Sequence, residues 1–332
     1  MSEPLRLGTR RSALALTQSQ MVADAVEAAS GRAVELVPIV SEGDVNRASL
    51  SQLGGRGVFA NGLREALAAG RCDFLVHSLK DLPTAQPDGL VIAATPRRED
   101  ARDVVVTRDG TPLGALRAGA RVGTGSPRRI AQALRHNPRL DIHDIRGNVD
   151  SRLARVRDGE LDAVILAAAG ISRLGGDLGG LFAEELGLAE WPTAPGQGSL
   201  AVETRSDIDA DVLAALAELD DEDTRVAITA ERVVLSALDA GCSAPVGTHA
   251  SLVEGDLRLR AAVYALDGSQ RIGIDRTVRL EPRYAREKGS GNGANAADDG
   301  GPIARATRVG QEAARRLLER GAADLVPRES TT

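Results

Sequence analysis

The sequence predicts an α/β protein with two domains built around sheets and a smaller α+β domain after them. Over the first two-thirds of the chain, short apolar runs alternate with amphipathic segments of helical length, and this alternation forms two blocks. After about residue 207 the predicted strands are grouped rather than alternated with helices. Because strands joined by helices run in the same direction, we expect parallel sheets covered on both faces in the first two domains.

The first block starts with a short strand and a helix that Ser12, a good N-cap residue, introduces. A later apolar run, 74–76, is followed directly by polar residues, which is typical of a buried strand that ends at a site. The predicted elements are strand 5–9, helix 12–29, strand 33–40, helix 58–69, strand 74–78 and strand 90–94. A hinge is expected at 95–98.

The second block repeats the pattern. Ser126 is a good N-cap and Pro127 a good first helical residue. The predicted elements are strand 103–107, strand 121–123, helix 126–136, strand 141–145, helix 149–158 and strand 163–167. Residues 200–203, after Pro-Gly-Gln-Gly, are expected to return to the first sheet and so to form a second crossing between the domains.

The third domain is expected to contain grouped strands between helices. Its predicted elements are helices 209–218 and 224–238, strands 248–252, 257–264 and 271–280, and helix 303–320. Residues 286–301 are of low complexity and are interpreted as a disordered insertion. The predicted domains are 1–96 with 199–206, then 97–198, then 207–332.

The composition excludes several classes of protein. A net charge of −6, an aromatic content of 2% and two cysteines, Cys72 and Cys242, disfavour a nucleic-acid-binding protein and a disulfide framework. The chain has no apolar run of about 18 residues and no basic-then-apolar leader, so we expect a cytoplasmic protein without a membrane span. Four histidines without metal-binding spacing, and no Gly-x-x-x-x-Gly-Lys-Ser/Thr motif, predict neither a metal site nor a P-loop.

Arginine is concentrated in one stretch of this acidic chain. Between residues 121 and 157, nine arginines stand against three aspartates, a formal charge of +6. One interpretation is a solvated helix face, which is the common meaning of a charge run. The other is a site for several carboxylates or phosphates, which the two helix amino ends in this stretch favour.

Four polar loops are expected to meet where the predicted strands end, since ligands of open α/β sheets bind at that edge. They supply Arg10, Ser12, Ser78, Lys80, Asp81, Thr124, Ser126, Arg128, Arg129, Arg146 and Arg152. Asp81 is the one carboxylate in this predicted cleft, and it could steady a cationic intermediate or move protons; it could equally be a turn residue or a partner for Lys80. Cys72 is expected in the core, and Cys242, in an open loop of small residues, could be inert or reactive.

Motifs along almost the whole chain resemble one family, the hydroxymethylbilane synthases, also called porphobilinogen deaminases. The matching stretches are 6–15 (Arg-Leu-Gly-Thr-Arg-Arg-Ser-Ala-Leu-Ala), 42–44, 54–59, 76–83 (Val-His-Ser-Leu-Lys-Asp-Leu-Pro), 98–103, 122–129 (Val-Gly-Thr-Gly-Ser-Pro-Arg-Arg), 146–149, 166–175, 195–198, 229–232 and 241–247 (Gly-Cys-Ser-Ala-Pro-Val-Gly). They occur in the order expected of the family and leave out only the low-complexity insertion.

The resemblance implies a transferase of tetrapyrrole biosynthesis with two periplasmic-binding-protein-like domains. Four porphobilinogen molecules would be deaminated and joined head to tail, and water would release linear hydroxymethylbilane. One covalent dipyrromethane cofactor on Cys242 would prime the growing oligopyrrole, whose rings carry acetate and propionate groups. The resemblance also implies a monomer that hands its product to uroporphyrinogen-III synthase.

The same resemblance assigns roles to individual residues. Asp81 would be the catalytic aspartate, placed beside the pyrrole nitrogens. The cofactor-binding residues would be Cys242, Ser12, Lys80, Asp81, Thr124, Ser126, Arg128, Arg129 and Arg146. The substrate-binding residues would be Arg10, Ser12, Phe59, Arg146, Arg152, Arg173 and Gln197.

Three positions depart from the family pattern: Gly125 stands where many relatives have serine, Arg56 where lysine is common, and Arg11 where a neutral residue is common. The competing hypothesis is a non-catalytic two-domain protein that traps an anion by hinge closure. Such a binder would need neither Cys242 nor a third domain, and the mass of the intact protein would separate the two hypotheses.

Overall fold

Two five-stranded sheets with the same strand order hold the first two-thirds of the chain, and a three-stranded sheet follows. The computed structural model describes residues 3–39, 60–240, 244–280 and 300–326. Its strands are β1 (Leu5–Thr9), β2 (Val34–Pro38), β3 (Phe74–Ser78), β4 (Leu90–Ala94), β5 (Asp103–Thr107), β6 (Arg121–Gly123), β7 (Asp141–His143), β8 (Ala163–Ala167), β9 (Phe182–Leu186), β10 (Leu200–Arg205), β11 (Val246–Val253), β12 (Asp256–Tyr264) and β13 (Arg271–Arg279). Its α-helices are α1 (Ala13–Ser30), α2 (Asn61–Ala68), α3 (Pro127–His136), α4 (Val149–Arg157), α5 (Ala168–Arg173), α6 (Ala210–Ala217), α7 (Glu222–Ala237) and α8 (Pro302–Glu319).

This architecture confirms the predicted class, α/β in two blocks followed by a smaller sheet. We call the parts of the chain built on the three sheets the first, second and third units. Strand β9 and helix α5 are additions that the sequence pattern does not predict. β9 is an edge strand with the acidic sequence Phe-Ala-Glu-Glu-Leu, and α5 has only six residues, so neither has a clear period.

Each large sheet contains one antiparallel strand, which corrects the expectation of parallel sheets. In the first sheet, of order β2-β1-β3-β10-β4, strand β10 runs antiparallel to β3 and β4. In the second, of order β7-β6-β8-β5-β9, strand β5 runs antiparallel to β8 and β9. β5 and β10 follow the two crossings between the sheets. Their amino ends therefore lie at the edge where the neighbouring parallel strands have their carboxyl ends.

The cores contain mainly small aliphatic side chains, as the low aromatic content predicts. In the third unit, α7 and α8 pack on the antiparallel sheet β11-β12-β13. The two helices are so close that a Cβ on Gly310 of α8 would lie 2.7 Å from the carbonyl oxygen of Ala230. None of the described helices is long and apolar enough to cross a membrane.

Helix α6 does not belong to the third unit, where the sequence pattern placed it. Its Val212 and Leu216 pack into the core of the first sheet beside Leu7 and Val22. The short amphipathic helix carries an apolar face that suits either sheet, so its sequence alone does not decide between them. Helix α7 spans Glu222–Ala237, within two residues of the predicted 224–238.

Both crossings between the large sheets are fastened to the third unit. The buried carboxylate of Glu231 on α7 accepts hydrogen bonds from Arg98 Nη1 at 2.6 Å, from the backbone N–H of Gly196 at 2.6 Å and from that of Ala250 at 2.7 Å. Arg98 lies in the first crossing and Gly196 in the second. The predicted hinge at 95–98 therefore lies against helix α7.

Several sequence predictions concern residues outside the described ranges. They are Arg56 and Phe59 in 40–59, Cys242 in 241–243, and the part of the low-complexity stretch that lies in 281–299.

Candidate active site

Loops of the first and second units face each other at the edge where β5 and β10 begin. Ser12 caps α1, its Oγ accepting from the backbone N–H of Ala15 at 3.3 Å, and Arg10 lies half-buried just before it. Helix α1 contacts α5 of the second unit. A Cβ on Gly170 of α5 would lie 3.8 Å from Leu14 Cδ2, so the start of α1 forms one wall of an inter-unit cleft.

The turn Leu79–Asp81 follows β3 and brings Lys80 and Asp81 to this cleft. Lys80 Nζ donates a hydrogen bond to Gln197 Oε1 at 3.4 Å. Asp81 is exposed, and its charge acts on both Lys80 and Arg152, which places it between cations of the two units. The hydrogen bond of Lys80 is thus made with Gln197, and Asp81 keeps its carboxylate toward solvent.

Two capped turns of the second unit form the opposite wall. Ser126 Oγ accepts from the backbone N–H of Arg129 at 3.5 Å, and the buried Thr124 Oγ1 accepts from the backbone N–H of Ser126 at 3.2 Å. Asn148 caps α4 in the same way, accepting from the backbone N–H of Ser151 at 2.9 Å. Both strand–turn–helix arrangements predicted from the arginine-rich stretch are therefore present.

Asp103, the first residue of β5, is a site residue that sequence reasoning missed. Arg128 Nη2 lies 2.9 Å from Asp103 Oδ2, Arg129 Nη2 lies 2.6 Å from Oδ1, and Trp191 Nε1 donates to Oδ2 at 2.9 Å. The expectation of a single carboxylate, Asp81, was wrong. In a parallel sheet Asp103 would lie at the far edge, but the antiparallel β5 pairs it with Ala167 at the carboxyl end of β8.

Burial and charge act in opposite directions on this cluster. Burial alone would raise the pKa of Asp103, but the charges of Arg128 and Arg129, with hydrogen bonds from Arg129 and Gln197, outweigh it and hold the pKa well below its usual range. Burial also lowers the pKa of Arg128, an effect that Asp103 opposes. The carboxylate is therefore ionised, and it neutralises part of the charge of the arginine pair.

Gln197 lies in the second crossing and joins the two walls. Its Nε2 donates to Asp103 Oδ1 and to the carbonyl oxygen of Ala101, both at 2.8 Å, while its Oε1 accepts from Lys80 at 3.4 Å and from Arg129 at 3.5 Å. The side chain is 1% exposed. Both ends of the predicted substrate-binding amide thus bind protein groups in this structure.

Four of the sequence-predicted arginines keep a buried donor without a partner. These donors are Arg128 Nε, Arg129 Nε, Arg146 Nη2 and Arg173 Nε; among the described residues, Arg32 Nε and His249 Nδ1 are the other unpaired buried nitrogens, and neither residue was predicted to bind a ligand. Buried donors are almost always hydrogen-bonded in a finished protein, so these four favour bound acceptors. Carboxylates suit guanidinium donors in geometry and charge, and a polycarboxylate such as dipyrromethane fits the donor set.

The cations of the cleft also depress one another's proton affinity. Burial, together with the charges of Arg129 and Arg146, lowers the pKa of Arg152 to about 10. Burial, together with the charge of Arg129, lowers the pKa of Lys80 to about 8. An anionic ligand would relieve this repulsion, which is a physical reason to expect one.

The other arginines of the +6 stretch follow the solvated interpretation. Arg121 lies against Asp162, with its Nη2 donating to the carbonyl oxygen of Gly159 at 2.9 Å, and Arg155 pairs with Glu160 at the surface. The charge run therefore has two roles. Four of its arginines belong to the cleft: Arg128, Arg129, Arg146 and Arg152.

The structure explains why glycine, and not serine, occupies position 125. A Cβ at this position would lie 2.8 Å from Asp144 Oδ1 and 2.9 Å from the carbonyl oxygen of Ile145, so a serine would require this turn to shift. Arg11 is exposed, and nothing in the structure explains its charge.

Neither a reactive cysteine nor a metal site is found elsewhere among the described residues. Cys72 is buried, as predicted, and burial raises the pKa of its thiol to about 11, which makes it a poor nucleophile. No group of three or more histidine, cysteine, aspartate or glutamate side chains that could hold a metal occurs in the described ranges.

Comparison with protein families matches two models to most of the chain. Residues 5–213 match "Porphobilinogen deaminase, dipyromethane cofactor binding domain", and residues 226–319 match "Porphobilinogen deaminase, C-terminal domain". Together the models include every described residue of the cleft.

Curated relatives agree with the family models. A protein of Leifsonia xyli subsp. xyli named porphobilinogen deaminase is 50% identical, covering 97% of this chain and 94% of the relative. Porphobilinogen deaminase 1 of Streptomyces coelicolor is 55% identical over 82% of this chain and 88% of its own. Among solved structures, the VFT2 domain of Bordetella pertussis BvgS is 14% identical, with a TM-score of 0.39 over 65% of this chain and 85% of that one, too distant to bear on function.

Proposed function

The chain belongs to the porphobilinogen deaminase family, and from this premise we propose which of its residues carry out the reaction. The enzyme is a transferase of tetrapyrrole synthesis. It deaminates four porphobilinogen molecules, joins them head to tail on a dipyrromethane primer and releases linear hydroxymethylbilane by hydrolysis. The hypothesis of a non-catalytic anion-binding protein is set aside by this family membership.

The unpaired guanidinium donors carry the proposal for cofactor binding. Dipyrromethane supplies, when bound, the pyrrole to which the first substrate is joined. We assign its covalent attachment to Cys242, since the buried Cys72 has its pKa raised to about 11. The residues proposed to bind its carboxylates and orient its rings are Ser12, Lys80, Asp81, Thr124, Ser126, Arg128, Arg129 and Arg146.

Asp81 is proposed as the catalytic carboxylate. Loss of ammonia from porphobilinogen leaves positive charge on the substrate pyrrole, and a nearby anion stabilises that charge. Asp81 is exposed in the cleft, whereas Asp103 is buried and already bound by Arg128 and Arg129. Of these two acids, only Asp81 is free to approach a pyrrole ring.

The remaining predicted residues are proposed to bind substrate. They are Arg10, Ser12, Phe59, Arg146, Arg152, Arg173 and Gln197. Arg173 donates through Nη2 to the carbonyl oxygen of Gly198 at 2.7 Å, which leaves its unpaired Nε for a carboxylate. Gln197 is the exception among these residues: its own polar atoms bind protein groups, so it would act on substrate indirectly, by holding Lys80.

Asp81→Asn tests this assignment, because it removes the negative charge at nearly constant shape. We expect cofactor loading to persist, seen as the mass of one dipyrromethane on the intact protein, while turnover falls by about 100- to 1,000-fold, the usual size of a lost electrostatic contact to a transition state. Asp144→Asn is the matched control, since Asp144 also acts on Arg152 but is not assigned to the reaction. A loaded Asp81→Asn enzyme with wild-type turnover would refute the proposal.

The domain boundaries and the surroundings of the enzyme are also proposals. We propose domains of 1–96 with 199–206, 97–198 and 207–332, except that α6, whose Val212 and Leu216 pack on the first sheet, is assigned to the first domain. We further propose a cytoplasmic monomer that passes hydroxymethylbilane to uroporphyrinogen-III synthase. The larger exposed apolar side chains, such as Met21, Phe182 and Leu266, lie on separate elements, which supports a monomer; sedimentation measurements test this.

A further inference from the structure

A buried chain of hydrogen bonds links the third unit to helix α3 of the second. Tyr264, the last residue of β12, donates its backbone N–H to the carbonyl oxygen of Pro245 at 3.0 Å, close in sequence to Cys242. The phenol oxygen of Tyr264 accepts from Gln132 Nε2 at 3.2 Å, and Gln132 Oε1 accepts from Arg128 Nη1 at 2.6 Å. Tyr264, Gln132 and Arg128 are 1%, 2% and 3% exposed, so water hardly competes for these bonds.

The same chain continues into the first unit. Arg128 Nη2 lies 2.9 Å from Asp103, Asp103 accepts from Gln197 at 2.8 Å, and Gln197 accepts from Lys80 at 3.4 Å. Lys80 stands next to Asp81 in the turn after β3. One continuous polar path therefore joins the neighbourhood of the proposed cofactor cysteine to the turn that carries the proposed catalytic carboxylate.

Close packing accompanies these polar contacts. Tyr264 and Ala262 pack on Ala131 of α3. The turn between β12 and β13 comes so near to the helix that a Cβ on Gly268 would lie 2.6 Å from the backbone nitrogen of Arg135 and 2.7 Å from the carbonyl oxygen of Ala131. The third unit is thus seated directly on the helix that carries Arg128.

We propose that this path fixes Pro245, three residues after the proposed cofactor cysteine, relative to Asp81, with Tyr264, Gln132 and Asp103 as positioning residues. We call the path the polar bridge. Its members are Tyr264, Gln132, Arg128, Asp103, Gln197 and Lys80. The inference rests on the proposed attachment to Cys242 and the proposed role of Asp81, and it adds how the two are held in register.

The directions of the donors make the bridge specific. The guanidinium of Arg128 has only donors, so it fixes the oxygen of the Gln132 amide and turns the NH₂ toward Tyr264 and the carbonyl oxygen of Pro192, which accepts at 3.0 Å. Asp103 similarly fixes the NH₂ of Gln197 and leaves the amide oxygen for Lys80. Shifting one unit against another breaks a buried bond, whereas an apolar contact could slide.

Tyr264→Phe is the primary test, since it removes a single buried oxygen. In the cofactor-loaded enzyme we expect kcat to fall by about 2- to 12-fold with little change in KM, the effect of one lost hydrogen bond on alignment rather than binding. Native mass spectrometry should show partly elongated complexes accumulating. Trp191, the one tryptophan of the chain, donates a hydrogen bond to Asp103 of the same path. A shift of Asp103 in Tyr264→Phe should therefore shift the fluorescence emission of Trp191, which is a readout independent of activity.

The matched control is Asn137→Leu. Asn137 is another buried carboxamide, at the end of α3, and it donates to the carbonyl oxygen of Leu116 at 2.9 Å, outside the bridge. We expect this variant to lower the melting temperature while kcat, the elongation pattern and the Trp191 emission stay as in wild type.

A second measurement combines Tyr264→Phe with Gln197→Leu, two changes in residues that share no hydrogen bond. If the bridge acts as one path, the double variant should lose little more kcat than the worse single variant. Multiplied losses would overturn the inference, as would unchanged kcat and elongation in Tyr264→Phe, or a loss of cofactor loading in its intact mass. These readouts are separate from Asp81→Asn, whose result decides the proposed function.

Discussion

Two buried carboxylates of this molecule, Asp103 and Glu231, both bind arginine, and they differ in what the arginines have left over. At Glu231, Arg98 directs Nη1 and Nη2 at the carboxylate, at 2.6 and 3.2 Å, and Nε at the carbonyl oxygen of Gln197 at 2.8 Å. At Asp103, Arg128 and Arg129 each keep an unpaired Nε. We call the Glu231 cluster saturated because every guanidinium nitrogen of Arg98 is hydrogen-bonded, although the neighbouring His249 Nδ1, 3.7 Å from Glu231, has no partner. At Asp103 the unpaired donors belong to the arginines themselves, which favours an anionic ligand there.

The largest expected effect is on the saturated cluster. Glu231→Gln would leave Arg98 buried without a counter-charge and would weaken the contacts to both crossings, so we expect a loss of about 3–5 kcal/mol in the free energy of unfolding. Urea titration with an unchanged m-value measures this loss.

Glu160→Gln is the control for that change. Glu160 pairs with Arg155 at the surface, where water screens the charges, so its loss should hardly change the free energy of unfolding. If Glu231→Gln lowered the free energy of unfolding no more than the control does, the contacts between the crossings and α7 would not depend on the Arg98–Glu231 ion pair. The contrast with Asp103 would then fail.

A smaller effect is expected where a donor is unpaired. Arg146→Leu removes a guanidinium whose Nη2 has no protein partner among the described residues, so stability should hardly change. Binding of a carboxylate should fall by about 10- to 150-fold, the equivalent of about 1.5–3 kcal/mol for a charged hydrogen bond.

Native mass spectrometry of the substrate-treated Arg146→Leu enzyme should therefore show stalled elongation, with Arg121→Leu as the control outside the cleft. Stalled elongation in both variants, or in neither, would mean that an unpaired donor does not mark a ligand contact.

The smallest effect concerns the pH dependence of Lys80. Burial and the charge of Arg129 lower the pKa of Lys80 from 10.5 to about 8. Between these two pH values Lys80 is therefore neutral in the folded protein and still protonated in the unfolded chain. The linked stability is therefore present above pH 10.5 and is lost as the pH falls through about 8. Anion binding has the opposite sign, since the ammonium charge disappears above pH 8.

We expect cofactor loading of the cofactor-free protein to weaken by about threefold from pH 7.5 to 9, since one charge is worth about 1 kcal/mol and most of it is lost over this range. Lys80→Arg keeps its charge over this range and should flatten the profile of cofactor loading against pH. An equally steep profile in Lys80→Arg would assign the pH dependence to another group.

Local signals account for the part of the fold that could be predicted from sequence. Caps such as Ser12 and Ser126 and the apolar periods locate most strands and helices to within a few residues, because these signals act over one turn of chain. The direction of β5 depends on a crossing between sheets, which no local pattern records, and Asp103 was missed for that reason. The expected role of Cys242 came only from the family resemblance, since a lone cysteine in a loop carries no chemistry of its own.

The late return of β10 to the first sheet has a consequence for synthesis of the chain. The second sheet is built entirely from residues 103–186, whereas the first begins at residue 5 and lacks its fourth strand in spatial order, β10, until residue 205 has been made. A nascent chain on the ribosome can therefore complete the second sheet before the first, against the usual amino-terminal-first order. Until β10 has been made, the edge of the apolar strand β3 has no partner strand and is exposed. During this interval the nascent chain is most dependent on a chaperone.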